Sequence, residues 1–225
     1  MSAVFRSGIT PSALEFIERD AIDWTLEHVD FAMNIPDKVQ AHLLVEVDGD
    51  EMSLLYQDCE KITKVMEQFG CGEILLADSE RQKEQLWKLR RSISEAVKSN
   101  SIYKEEDTVV PRAELPKLLK GVKDIGKCYG FKSVCYGHAG DGNLHVNIIK
   151  GEMSDEDWGA KLSFGIREIF ELTKKLGGTI SGEHGIGLVQ KDYIDIVLSK
   201  KNINLQKGIK KLFDPNQILN PGKIF

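Results

Sequence analysis

The chain has 225 residues, 41% of them hydrophobic and 29% charged, with a formal net charge of -5. That length and apolar share suffice for one sizeable core and exclude a disordered chain. The mild acidic excess offers no electrostatic footprint for nucleic acid. No apolar run approaches the roughly 20 residues a membrane span requires, and no signal peptide is expected from the opening residues.

In chain order, Thr10-Pro11-Ser12-Ala13-Leu14-Glu15 reads as a helix start, with Leu14, Ile17, Ile22 and Leu26 on its apolar face. Residues 40–48 read as a strand and 51–69 as a helix that Gly70 and Gly72 stop. Residues 73–78 read as a strand, 80–98 as a helix, and 107–111 as a short extended piece. A helix over 113–128 precedes two strands around a glycine-rich turn in 132–149. A helix follows over 155–176, then a short strand near 179–181. Two more helices near 186–199 and 202–213 lead to a tail from Asp214. No glycine-rich strand-to-helix turn of the dinucleotide kind occurs. The expected class is α+β, a mainly antiparallel sheet flanked by helices.

Cys59, Cys71, Cys128 and Cys135 form no CxxC pair, so free thiols in a cytoplasmic protein are expected rather than a zinc–thiolate site. His28 and His42 read as ordinary packed or surface residues, and Glu105-Glu106-Asp107 as a solvated loop.

The densest chemistry lies in Gly137-His138-Ala139-Gly140-Asp141-Gly142-Asn143-Leu144-His145-Val146-Asn147. Asp-Gly favours a two-residue type I′ turn. With Asp141 and Gly142 in that turn, His138 sits directly opposite His145, their Cβ atoms about 5 Å apart. Two imidazoles so placed can chelate one metal ion. Alternation adds Asn147 to the same face and sends Leu144, Val146 and Ile148 to the other. The plainer reading is a glycine-rich hairpin with two incidental histidines.

Ser181-Gly182-Glu183-His184-Gly185-Ile186-Gly187 is the second signal. Glu183 can add a carboxylate, completing a two-histidine, one-carboxylate set with an open position. Zinc, manganese and iron all accept such donors. His184 is a candidate general base. The competing reading is an acidic cap on a helix N-terminus. On the helix over 80–98, Arg90 and Ser94 are one turn apart and can grip a carboxylate. A solvated charged face is the alternative there.

Together HAGDGNLHVN, SGEHGIG, WKLRRSISEA, VPRAELP and DPNQILNPGKIF resemble the C-terminal domain of FAD-linked oxidases. The likeness is to the glycolate oxidase D subunit, D-lactate dehydrogenase and D-2-hydroxyglutarate dehydrogenase group, and it spans nearly the whole of residues 1–225. It implies a ferredoxin-like cap arrangement and oxidation of a D-2-hydroxy acid with hydride passing to FAD. His138, His145 and Glu183 are implied as ligands of a divalent metal, and His184 as the base near the substrate hydroxyl. Arg90, assisted by Ser94, is implied to bind the substrate carboxylate. Asn147 is implied to face substrate and flavin, and Asn220 to lie in a terminal stretch approaching the flavin.

No glycine-rich flavin-phosphate segment is found, so the N-terminal FAD-binding domain is expected to be absent. That suits an expressed fragment, a split subunit or a truncated product. The chain alone is expected to be inactive or nearly so. Its partners would be a FAD-binding domain or subunit and an electron-transfer subunit, with peripheral attachment to a membrane through them. An accessory binding subunit and a stand-alone metallohydrolase are the competing functions. In dicarboxylate-using members a lysine precedes the VPRAELP region, where Lys104 lies nearby.

Overall fold

The structure is a computed structural model, and it describes residues 1–30 and 35–225. Among these, six strands form one antiparallel sheet in the order β2-β1-β4-β5-β3-β6. The chain runs α1 (Ser2–Arg6), β1 (Ala13–Glu18), α2 (Arg19–His28), β2 (Ala41–Glu46), α3 (Met52–Glu67) and α4 (Glu80–Asn100). It continues with β3 (Tyr103–Val109), α5 (Leu115–Tyr129), β4 (Lys132–Gly137), β5 (Asn143–Ile149) and α6 (Asp155–Lys175). It ends with β6 (Thr179–Ile180), α7 (Ile194–Val197) and α8 (Lys200–Phe213). The α+β class holds.

Helices cover both sheet faces. Leu144, Val146 and Ile148 of β5 join Leu14 and Phe16 of β1 in a core closed by Leu118 and Val122 of α5 and Ile166, Ile169 and Phe170 of α6. On the other face Ile17, Val134 and Tyr136 pack with Ile22 of α2 and Leu89, Ile93 and Val97 of α4. The chemistry described below sits on this second face.

Three expected elements differ. The helix expected from residue 10 is instead strand β1 followed by α2. The sequence Leu14-Glu15-Phe16-Ile17 is buried on both faces between β2 and β4, so its apolar residues run together and mimic a helical stripe. Residues 73–78 form no strand; Ile74, Leu75 and Leu76 are exposed and find no ladder partner. The helix expected over 186–199 shrinks to a 3-10 turn at Lys191–Tyr193 and the single turn α7. Positive φ at Gly185 and Gly187 keeps the preceding backbone out of the helical region.

The hairpin register also differs. Tyr136, not His138, stands opposite His145, and β4 stops at Gly137. The connection is held from both sides: Gly140 N–H donates to Leu14 O (2.9 Å) and Val110 N–H to Gly142 O (3.0 Å). Gly142 has φ +78°, and a Cβ there would fall 1.9 Å from Val110 O, so a side chain is sterically excluded. These flanking bonds replace the tight two-residue turn. The slip is two residues, which preserves side-chain parity.

Glu18 ends β1 inside the molecule. Its Oε1 accepts from Lys123 Nζ (2.7 Å) and from Cys135 N–H (2.9 Å), and Lys123 Nζ also donates to Ser133 O (2.6 Å). Burial pushes the Glu18 carboxyl above its ordinary range, against the pull of Lys123. Stability from such a group is present below the unfolded pKa and is lost as pH rises through the folded one. Lys123→Met removes the counter-charge and raises that pKa further. Urea unfolding should show a loss of about 2–4 kcal/mol at pH 8 that shrinks markedly at pH 5.

Candidate metal and substrate site on one sheet face

Because β5 sends Leu144, Val146 and Ile148 to one core, His145 and Asn147 face the other way. Register then places Asp107 and Glu105 of β3 beside His145 and Asn147, with Tyr136 of β4 opposite His145. Glu15 of β1 lies on this face, as does Arg90 of α4, and the loop after β6 supplies Glu183 and His184. The acidic run expected as a solvated loop is strand instead, with Glu106 and Asp107 fully buried.

His138 and His145 come together despite the register slip, their ring centroids 5.8 Å apart and edge to face. Glu183 Oε1 lies 3.1 Å from His145 Nε2 and 3.7 Å from His138 Nε2. Ligand atoms of these three residues all fall within 4.8 Å of one another. The other ring nitrogens face carboxylates. His138 Nδ1 is 2.8 Å from Glu15 Oε1, and His145 Nδ1 is 3.6 Å from Glu105 Oε1 with no hydrogen-bond partner. Burial holds His145 neutral, its pKa lowered to about 4. Imidazoles backed by carboxylates, with His145 held neutral, fit the donor chemistry of a divalent metal.

His184 stacks on His145 with centroids 5.1 Å apart and a 23° interplanar angle. It is half-exposed beside a cleft of 440 Å³ that Tyr103, Glu105, Asp107 and Gln190 also line. Lys104 points to the opposite face of β3 from Asp107, and its Nζ is 3.5 Å from Glu106 Oε1.

Asp107 fixes the loop. Its Oδ2 accepts from Glu183 N–H (2.7 Å) and His184 N–H (2.9 Å), and its Oδ1 from Asn143 Nδ2 (2.6 Å). Burial alone would raise its pKa, but these donors outweigh burial and hold it below the ordinary carboxylate range. Gly182 passes so close that a Cβ would sit 2.3 Å from Asn143 Nδ2.

Arg90 and Ser94 share a face of α4, and Arg90 is buried. Its Nε donates to Glu15 Oε2 (2.8 Å), and its Nη2 is 2.7 Å from the same oxygen without being aligned on it. The guanidinium lies over the Tyr136 ring, 5.1 Å from its centroid. Burial raises the Tyr136 pKa, against the pull of nearby polar side chains and the Arg90 charge. Asn147 Nδ2 donates to Val134 O (3.1 Å). Asn220 stands apart on the tail, exposed at φ +47°, with Lys223 Nζ as its partner (2.9 Å).

Glu15, Tyr136, Glu105 and Asp107 were not singled out by motif. Strand alternation through β1, β3 and β4 is the signal that finds them.

The sequence model of the family "FAD linked oxidases, C-terminal domain" matches residues 1–224. The chain is 34% identical to glycolate oxidase subunit GlcD of Bacillus subtilis (strain 168), over 100% of this chain and 47% of that protein. It is 31% identical to a D-lactate dehydrogenase of Anaerostipes hadrus, over 98% of this chain and 47% of the relative. It is 34% identical to a D-2-hydroxyglutarate dehydrogenase of Stutzerimonas stutzeri (strain A1501), over 98% and 48%. The chain thus spans about half the length of these relatives. Among solved structures, p-cresol methylhydroxylase with substrate bound shares the fold, with a TM-score of 0.62 at 13% identity, covering 94% of this chain and 46% of that one.

Asp107→Asn replaces a shared acceptor with one oxygen and a donor. We expect a loss of about 2 kcal/mol and amide hydrogen exchange at Glu183 and His184 at least about tenfold faster. Unchanged exchange at those two amides would show that Asp107 does not hold the loop.

Proposed function

The chain belongs to the family of FAD-linked oxidase C-terminal domains, and we propose that it is the substrate- and metal-binding portion of a flavin-dependent D-2-hydroxy-acid dehydrogenase. The observation that carries this reading is the convergence of His138, His145 and Glu183 beside His184, with Arg90 on the same face. His138 Nε2, His145 Nε2 and a Glu183 oxygen would hold zinc, manganese or iron. When bound, the cation supplies Lewis-acid activation of the 2-hydroxyl and FAD supplies the hydride acceptor.

The chain's own residues would bind and orient the acid. Arg90 Nη2 is buried 2.7 Å from Glu15 Oε2, so a substrate carboxylate would compete with Glu15 for the guanidinium. Ser94, one turn from Arg90, and Asn147 would line the same face, and the Tyr136 ring packs against the guanidinium. His184, at the cleft and stacked on a neutral His145, would take the proton from the 2-hydroxyl. Asn220 would meet the flavin from the tail.

Oxidation then needs a flavin-binding half, and the chain alone would turn over little or no substrate. The exposed apolar residues of α8, Leu205, Ile209, Leu212 and Phe213, suit contact with such a half. No helix of the described residues is long and apolar enough to cross a membrane.

Calorimetry and metal analysis should find one divalent ion per chain, with affinity falling about 100-fold or more in His145→Ala. Joined to a flavin-binding half, the protein should oxidise glycolate or D-lactate. His184→Ala should then cut kcat by about 10²–10⁴-fold while metal affinity stays. Equal loss of both in His184→Ala, or no metal uptake by the parent chain, would contradict the assignment.

A further inference from the structure

The carboxylate of Glu15 is buried at the meeting point of the two functions assigned above, and neither uses it. Glu15 is 4% exposed. Its two oxygens divide between two partners: Oε1 lies 2.8 Å from His138 Nδ1, and Oε2 accepts from Arg90 Nε at 2.8 Å. The main chain repeats the link. Gly140 N–H, in the loop that carries His138, donates to Leu14 O, next to Glu15. His138 lies just past the end of β4 and is more exposed than His145, so the ladder alone does not orient its ring.

We propose that Glu15 is a positioning residue that couples the arginine to the metal-ligating histidine, locking His138 as the Nδ1–H tautomer while holding Arg90 in place. The proposal rests on the metal-binding reading above and adds a residue to it. A carboxylate accepting from Nδ1–H leaves Nε2 as a bare lone pair, directed at the position where Glu183 Oε1 lies 3.7 Å away. The same carboxylate partly neutralises Arg90, so a substrate carboxylate competes with Glu15 for that guanidinium. Glu15 thereby favours metal at His138 and restrains anion binding at Arg90. These two effects have opposite signs, which separates them from simple damage to the fold.

Glu15→Gln tests this in the full chain at pH 8. Zinc affinity is measured by calorimetry, and glycolate affinity is measured separately on metal-free protein. Zinc should bind about 10–100-fold more weakly and glycolate about tenfold more tightly. Both affinities falling together, or zinc affinity unchanged, would overturn the coupling. His138→Ala should lose zinc. A second measurement needs no variant: imidazole 15N spectra of the metal-free parent should show His138 protonated at Nδ1 and bare at Nε2. A ring protonated at Nε2 alone would overturn the role of Glu15 even if every variant misfolds. A parent chain that takes up no zinc would contradict the metal reading instead, and the 15N spectra would still decide the tautomer.

Discussion

Strand β5 is buried along its entire length, and both of its faces must be satisfied at once. Leu144, Val146 and Ile148 fill a core beneath α5 and α6. Period-two geometry then forces His145 and Asn147 into the opposite interior. Buried polar groups are costly unless partnered. Asn147 donates to Val134 O of β4, while the neighbouring strands bring polar side chains alongside: Asp107 and Glu105 from β3, Tyr136 from β4 and Glu15 from β1. A polar stripe crosses the middle of the sheet because one central strand alternates apolar and polar residues.

Around that stripe the structure separates rigid from adjustable parts. Asp107 grips two consecutive backbone amides and thereby sets where Glu183 and His184 begin, while their side chains remain half-exposed. His145 is fixed in the sheet and held neutral by burial. His138 is placed by a loop tied to β1 and β3. An open-faced donor set on a rigid floor suits an incoming ion and substrate, because the floor is ordered before either arrives.

Much of this was legible in the residues, and the failures have physical causes. The expected hairpin register differs from the observed one by two positions, since Asp-Gly favours a tight turn in isolation and the bonds from Leu14 and Val110 are invisible locally. Parity survived because the side-chain period is two, so His138 and His145 still meet. The helical stripe that β1 mimics has a larger consequence. It hides the alternation that places Glu15 on the site face. Glu105-Glu106-Asp107 looked solvated because acidic runs usually are, yet β3 runs between β5 and β6 and buries two of the three. Residues 73–78 have strand composition, but composition cannot supply a ladder partner.

The central claim is that one sheet face gathers His138, His145 and Glu183 into a single divalent-metal site. X-ray absorption spectroscopy of the zinc-loaded chain tests it most directly. The account predicts two imidazole nitrogens at about 2.0–2.1 Å and carboxylate oxygen at about 2.0–2.2 Å, with no sulfur. A first shell containing thiolate sulfur, or one showing no imidazole scattering, would contradict it.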